Sequence, residues 1–238
     1  MNYRKKIIKT RCEALPSLEE LKKTGLPVSW TGNEENDRKA AEYFISSRLD
    51  PQSVGFMVDI LPYFCKILKE DYPEFKTEKI IKTLDIGTRT GSGANLLGQM
   101  FFGVYSRRQM TVDVLDIVND FEEYLLETNR YINKFIFKDV EEVESKSYDY
   151  VVASHVLEHI PDVQKFATNL KRIARKKVIA YTPYNETNPI PEHFIINDEV
   201  LKSLNATNIK ITDESFFWKR KDELLKTCLF TLEPTEIS

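Results

Sequence analysis

Cysteine is scarce. The chain of 238 residues contains three, Cys12, Cys65 and Cys228, far apart and without a Cys-x-x-Cys pair. That spacing argues against a disulfide framework and against a cysteine-held zinc site. Long apolar runs are missing as well. No stretch reaches the ~18 apolar residues of a membrane-crossing helix, and no signal-peptide core follows the N-terminus. Charge of one sign is not in excess, because 34 basic residues face 37 acidic ones for a formal net charge of -3. Only Tyr3–Arg11 is locally basic, so nothing in the balance argues for a nucleic-acid groove. There is no internal repeat and no low-complexity tract. Asn185-Glu186-Thr187 and Asn205-Ala206-Thr207 match a glycosylation acceptor, but without a secretion signal they read as chance. These absences point to a reducing, cytoplasmic setting with no membrane partner.

With 42% hydrophobic residues, the chain can bury one substantial core plus an appendage. Residues 1–78 read as a helical extension or cap. Ser17–Lys23 starts with a serine cap and Glu20 three residues on. Glu34–Ser47 places Ala40, Ala41, Phe44 and Ile45 at helical spacing, and Val54–Lys69 does so with Phe56, Ile60, Leu61, Phe64, Ile67 and Leu68. Pro62 is expected to bend that segment or end it. From residue 79 the chain alternates. Ile80–Leu84, Met110–Leu115, Phe135–Phe137, Tyr148–Ala153 and Val178–Tyr181 read as short buried strands. Gly93–Gln99, Val163–Ile173 and Asp198–Leu204 read as helices. Ile209–Trp218 and Leu224–Leu232, separated by polar Lys219–Glu223, suggest an antiparallel hairpin.

The chemistry concentrates in four places. In Thr83–Gly98, TLDIGTRTGSGANLLG, an apolar strand ends in Asp85 and passes through a glycine-rich turn into a helix. That order suits a nucleoside cofactor across the carboxyl edge of a parallel sheet. No Gly-Lys-Ser or Gly-Lys-Thr follows, which disfavours a phosphate-loop ATPase, and Gly87-Thr88-Arg89-Thr90-Gly91-Ser92-Gly93 lacks the close Gly-x-Gly pair with which a nicotinamide turn starts. At the end of the second strand, Asp113 or Asp116 can receive two ribose hydroxyls, with Asp116 the better placed. Asp139, after Phe135–Phe137, can meet an adenine amino group beside the apolar wall of Val140. After Tyr148–Ala153 comes Ser154-His155-Val156-Leu157-Glu158-His159. A helix there would stack His155 and His159 on one face. However, His-x-x-Glu-His is not the His-Glu-x-x-His of zinc hydrolases, and His193 is the only other histidine. The expectation is therefore no metal. His155 reads as cofactor wall, and a general-base role is open to the histidines.

Together these segments resemble the class I methyltransferases that use S-adenosylmethionine. Leu84–Gly91 is similar to the family's first motif and Val152–Asp162 to its fourth, in the form common among small-molecule enzymes. The resemblance covers roughly Glu78–Pro234. It implies a Rossmann-like α/β fold, with a mostly parallel seven-stranded sheet, helices on both faces and a C-terminal antiparallel hairpin. It implies that Asp85, Gly87, Thr88 and Gly91 hold the amino-acid part of the cofactor, Asp116 the ribose, and Asp139 with Val140 the adenine. Ser154 and His155 would border the sulfur. The chain departs from the family pattern at Arg89, where glycine is usual, and in a longer stretch before the second strand, near Gly98–Arg108. The implied reaction is methyl transfer to a small polar metabolite or sugar derivative, with a hydroxyl as one acceptor and His155 and His193 as catalytic candidates. His193 follows the loop stiffened by Pro183, Pro189 and Pro191. A non-catalytic binding protein of degenerate fold and a methyltransferase of RNA or protein are the alternatives. Tyr43, Phe44, Phe56 and Tyr63 of the N-terminal helices could close the pocket, or those helices could form a homodimer contact.

Overall fold

The computed structural model describes residues 17–23, 31–47, 50–73, 80–102, 109–119, 122, 125–126, 129–187, 189, 193–215 and 226–235. Seven strands form one sheet: β1 (Ile81–Ile86), β2 (Met110–Asp116), β3 (Ile132–Phe137), β4 (Tyr148–Ser154), β5 (Ala174–Tyr184), β6 (Thr207–Thr212) and β7 (Lys226–Leu232). Their spatial order is β3-β2-β1-β4-β5-β7-β6. The pairs β1–β2, β1–β4, β2–β3 and β4–β5 are parallel. β7 runs antiparallel to both β5 and β6, which is the expected terminal hairpin. Chain order reverses at β1, where the chain leaves toward β2 on one side and β4 lies on the other. Ligands of open α/β sheets bind outside the carboxyl ends of strands at such a point.

The central strands are apolar along both faces because helices cover both. Leu84, Ile86, Val151 and Ala153 pack with Ala167, Leu170 and Ile173 of α5 (Val163–Ile173) and Leu201 of α6 (Asp198–Ser203). Val112, Val114, Tyr150 and Val152 point the other way. They meet Phe56, Ile60 and Phe64 of α3 (Pro51–Asp71) and Leu97 of α4 (Ser92–Met100). Two short helices, α1 (Leu18–Lys22) and α2 (Glu34–Ser47), precede α3. Among the described residues no helix is long and apolar enough to cross a membrane.

Several local expectations shift. α3 runs unbroken through Pro62. That proline sits on the exposed side, while Phe56, Met57, Ile60, Leu61, Phe64, Ile67 and Leu68 are buried. Burying each is worth roughly 1.5–3 kcal/mol, which together outweighs the ~3 kcal/mol of an interior proline. β5 is longer than Val178–Tyr181 because β4 and β7 both pair with it, and Pro183 lies within the strand rather than in the following loop. Tyr63 does not close a pocket. Its hydroxyl donates to the Asn208 carbonyl at 2.7 Å. The side chains of Tyr43 and Phe44, and Pro191 and Phe216–Trp218, lie outside the described residues.

Candidate active site

The turn after β1 is built from backbone. Gly87 has φ 65 and Gly91 φ 70. The Gly87 N–H donates to the Leu115 carbonyl at 2.9 Å and the Gly91 N–H to the Thr88 carbonyl at 2.9 Å. A Cβ on Gly87 would lie 2.6 Å from Val156 Cγ2, so glycine is needed there for conformation and for space. Arg89 takes the same left-handed conformation, with φ 49, at about 1–2 kcal/mol for a side-chain residue. Its N–H donates to Asp116 Oδ2 at 3.0 Å, and its Nη1 lies 3.5 Å from Gln52 Oε1. The turn thus keeps the shape a glycine would give it.

Phe56 of the N-terminal helices was among the residues that could close the pocket, and it does line it; the polar bonds that bring it there lay outside the sequence expectations. The start of α3 docks on this turn. Thr90 Oγ1 donates to Asp50 Oδ2 at 2.8 Å, the Asp50 N–H donates to Ser92 Oγ at 3.2 Å, and the Gly93 N–H donates to Ser53 Oγ at 2.9 Å. Asp50 also caps α3 by accepting from the Gln52 and Ser53 N–H groups. These bonds bring Gln52, Ser53, Phe56 and Met57 to the carboxyl edge of the sheet. Asp50 meets its partner Thr90 forty residues away, which no local pattern marks.

Two cavities share Ile86 and Gly87 in their walls. The first, of about 340 Å³, is lined by Asp50, Ser53, Phe56, Asp85, Thr88, Arg89, Ser154, His155 and other residues. The second, of about 370 Å³, is mostly apolar, with Leu115, Ile117, Val140, Val156 and Phe166 on its walls and Asp116 and Asp139 among its few acids. Both fall in the size range of small-molecule sites, ~300–1,000 Å³. Ser154 Oγ is buried without a hydrogen-bond partner among the described residues. Burial pushes the Asp85 carboxyl up to about 7; the Thr88 hydroxyl beside it opposes that rise, and the neighbouring Asp116 charge adds to it. A buried acid in this state is waiting for a cation or donor to hold its charge.

The structure separates the two aspartates of β2. Asp113 is paired with Leu84 in mid-sheet and Asp116 with Phe137 at the carboxyl end. Asp113 accepts from Asn133 Nδ2 and from the Tyr148 hydroxyl, each at 2.7 Å, with Lys134 Nζ at 3.5 Å. It is committed to the scaffold. Asp116 is half-buried beside the second cavity and accepts from the Arg89 and Val118 N–H groups. Asp116→Ala is therefore expected to weaken S-adenosylhomocysteine binding about 10- to 100-fold. Asp113→Ala should leave affinity intact and cost ~2 kcal/mol of stability. Calorimetry and denaturant titration of the pair check this; the reverse pattern would reassign the acid. Asp139 lines the second cavity too, with Oδ1 accepting from the Glu141 N–H at 2.8 Å as the cap of a short turn over Val140–Glu142.

The histidines do not sit as an α-helix would place them. Leu157–His159 is a single 3-10 turn and His155 has φ 52, so His155 and His159 face different neighbours. His155 stacks on Phe56 with ring centroids 3.6 Å apart, and its Nδ1 is 3.1 Å from Glu158 Oε1. His159 packs edge-on against His193 at 4.6 Å. His193 Nδ1 lies 2.8 Å from Glu186 Oε2. The Glu158 carboxylate is 1% exposed, and its Oε2 accepts from Thr182 Oγ1 at 3.0 Å. All three histidines and Glu158 border the first cavity. Glu158 entered the sequence reading only in the zinc comparison, and Glu186 only within the Asn185-Glu186-Thr187 triplet, because Glu158 meets Thr182 inside β5 and Glu186 meets His193 across the loop that follows it.

A parallel sheet of this order, a glycine turn and acid after β1, and acids at the ends of β2 and β3 define the class I, S-adenosylmethionine-dependent methyltransferase fold. Residues 57–186 match a family model described as a methyltransferase domain. That is more than half of the chain, and the chain belongs to this family. It is 26% identical over 199 residues to the ubiquinone biosynthesis O-methyltransferase of Rickettsia bellii, covering 74% of this chain and 76% of that protein. Among solved structures, the magnesium protoporphyrin IX methyltransferase of Synechocystis PCC 6803 with bound S-adenosylhomocysteine superposes with a TM-score of 0.55 at 15% identity. It covers 86% of this chain and 96% of that one. The CurJ carbon methyltransferase superposes with a TM-score of 0.56 at 14% identity, over 97% of this chain and 70% of that one. These two likenesses concern the fold.

Proposed function

We propose that this protein transfers the methyl group of S-adenosylmethionine to a hydroxyl oxygen of a small polar metabolite, a class that includes sugar derivatives. The observation that carries the reading is the pair of cavities that share Ile86 and Gly87 in their walls, one mostly apolar and one with the histidines. The apolar cavity suits an adenosine: Val140 walls the base, Asp139 reaches its amino group and Asp116 the ribose hydroxyls. Asp85, Gly87 and Thr88 hold the amino-acid end, and Ser154 and His155 border the sulfur; Gly91, expected beside them, lines neither cavity and instead shapes the turn against Leu125 and Ile132. When bound, S-adenosylmethionine supplies a methyl group already activated on a sulfonium and leaves as S-adenosylhomocysteine.

The chain's own contribution is alignment and exclusion of water. His155, clamped between Phe56 and Glu158, fixes the donor end of the polar cavity. A hydroxyl is a weak nucleophile, so its proton must leave as the new carbon–oxygen bond forms. His193 stands at the acceptor end, with its ring orientation set by Glu186. An oxygen acceptor is supported by this pair and by the curated relative, whose name is that of an O-methyltransferase. The modest volume of the polar cavity supports a small molecule over RNA or protein. α3 acts as a cap on this reading, because Asp50, Gln52, Ser53, Phe56 and Met57 form one wall. Arg89 would favour a binding protein without activity if it blocked the turn, but it reproduces the turn's conformation.

Calorimetry with S-adenosylhomocysteine should find one site per chain. A metabolite screen for incorporation of a tritiated methyl group should then find an alkali-stable ether product. Absence of cofactor binding by the folded protein would overturn the reading. Incorporation into nitrogen or carbon only would replace the acceptor while leaving the donor site in place.

A further inference from the structure

Glu158, His159 and His193 each turn a ligand-type atom toward one point, with those atoms all within 4.8 Å of one another. We propose that these three side chains hold a divalent transition-metal ion at the acceptor end of the polar cavity, where it ligates the acceptor oxygen. The inference rests on the methyl-transfer reading for its purpose but not for its geometry.

The donor set is one carboxylate oxygen and two imidazole nitrogens. Imidazoles favour zinc, iron(II), cobalt or manganese over the all-oxygen surroundings of calcium and magnesium. Bonds of ~2.1 Å in a tetrahedral site put donors about 3.4 Å apart. The cluster must therefore close by about an ångström on binding, and side-chain rotation about existing torsions can supply that. Three protein ligands leave a position open for a substrate, which is the pattern of a reactive rather than a structural site.

The surroundings are arranged as such sites require. Glu186 holds His193 Nδ1 at 2.8 Å, leaving Nε2 with its lone pair for an ion. Carboxylate–histidine pairs of this kind set the tautomer and orientation of metal-binding imidazoles. Glu158 is fixed by Thr182 through one oxygen, and its main chain is fixed by the Phe194 N–H donating to the Glu158 carbonyl at 2.6 Å. That bond ties the two ligand-bearing segments together next to His193. Glu158 and Glu186 are both buried, 1% and 6% exposed, and Glu186 Oε1 has no hydrogen-bond partner among the described residues. Two buried carboxylates in one cluster call for positive charge beside them. A divalent ion supplies it.

The sequence argued against a metal because His155-x-x-Glu158-His159 does not match a helical His-Glu-x-x-His. The turn at Leu157–His159 makes that comparison moot. It sends His155 toward Phe56 and turns Glu158 and His159 toward His193, which the sequence left remote. An ion there lowers the pKa of an acceptor hydroxyl. The hydroxyl proton passes to solvent, the oxygen's electron pair forms the new bond to the methyl carbon, and the carbon–sulfur pair stays on sulfur. His193 then acts as a ligand rather than as the base.

The test uses the full chain without a histidine tag, stripped with chelator and titrated with Co²⁺, read by its visible ligand-field absorption and by metal analysis after dialysis. One Co²⁺ per chain, displaced by Zn²⁺, is expected. His159→Ala, which changes an exposed residue, should lower affinity at least about tenfold and leave S-adenosylhomocysteine binding unchanged. Glu186→Gln should weaken Co²⁺ binding about 10- to 100-fold. Glu158→Gln should abolish it, with circular dichroism as the check on folding. No stoichiometric Co²⁺ or Zn²⁺ on a protein that still binds S-adenosylhomocysteine would overturn the metal site alone. Binding undiminished in His159→Ala would overturn it as well. Co²⁺ bound at this site without S-adenosylhomocysteine binding would instead overturn the methyl-donor reading and leave the metal site standing.

Discussion

Asp85→Asn should abolish cofactor binding and at the same time make the ligand-free protein more stable above about pH 7. Burial raises the folded-state pKa of Asp85 to about 7, far above the ~3.9 of an unfolded aspartate. The folded chain therefore keeps a proton that the unfolded chain has already lost. Stability must fall as pH rises from about 4 to about 7, and then level off once both states are ionised. Asparagine carries no such penalty. The variant should gain up to about 4 kcal/mol at about pH 8 and little at about pH 4. Melting curves across that range read the difference.

The same shift predicts how binding depends on pH. An ammonium group placed against Asp85 favours the carboxylate, so the cofactor must expel the proton wherever the free protein holds one. Affinity for S-adenosylhomocysteine should be flat above about pH 7 and fall up to tenfold per pH unit below it. Calorimetry in buffers of different ionisation enthalpy should count close to one proton released at about pH 6. A variant that binds S-adenosylhomocysteine as the parent does would remove Asp85 from the site. A variant no more stable at high pH would mean that the carboxyl is ionised without cost in the free protein.

Gly87→Ala is expected to be the most damaging single methyl in the chain's binding edge. It adds a side chain at φ 65, at about 1–2 kcal/mol. It also drives that side chain to 2.6 Å from Val156 Cγ2, where overpacking costs a further 1–3 kcal/mol or so. Val156 follows His155 directly, so any retreat of the valine moves the donor end of the cavity. Binding should fall by more than about tenfold on top of a stability loss of about 2–4 kcal/mol. Gly32→Ala is the control. Gly32 has φ +81 but no atom within 4 Å of an added Cβ, so it isolates the conformational part. Equal losses in the two variants, measured by urea titration, would show that Val156 yields freely and that the turn is not a tight cradle.

How much of this was legible beforehand follows from the range of the interactions involved. β1, β2 and β4 announced themselves as short apolar runs because a strand covered on both faces has no polar side to show. Their carboxyl ends were legible for the same reason, so Asp85, Asp116 and Ser154 could be placed at the site edge. Gly87 and Gly91 were marked by a local demand of the turn. The unbroken course of α3 through Pro62 was not, since its stability comes from seven side chains packed on a sheet that forms elsewhere in the chain. Nor could Asp113 be set aside until Tyr148 and Asn133 were seen to occupy its oxygens.

The sequence by itself determined the periodicities, the caps and the glycine turn, and with them the class of fold and the edge on which a cofactor lies. These are properties of neighbours along the chain, where a residue's burial and backbone conformation leave a pattern. The tertiary structure alone decided which side chains meet. Asp50 joins Thr90, Glu158 joins Thr182, and His193 stands between Glu186 and His159. Such meetings depend on where β5 returns and how α3 docks, which no local pattern records, because the free energy that sets them is shared across the whole core.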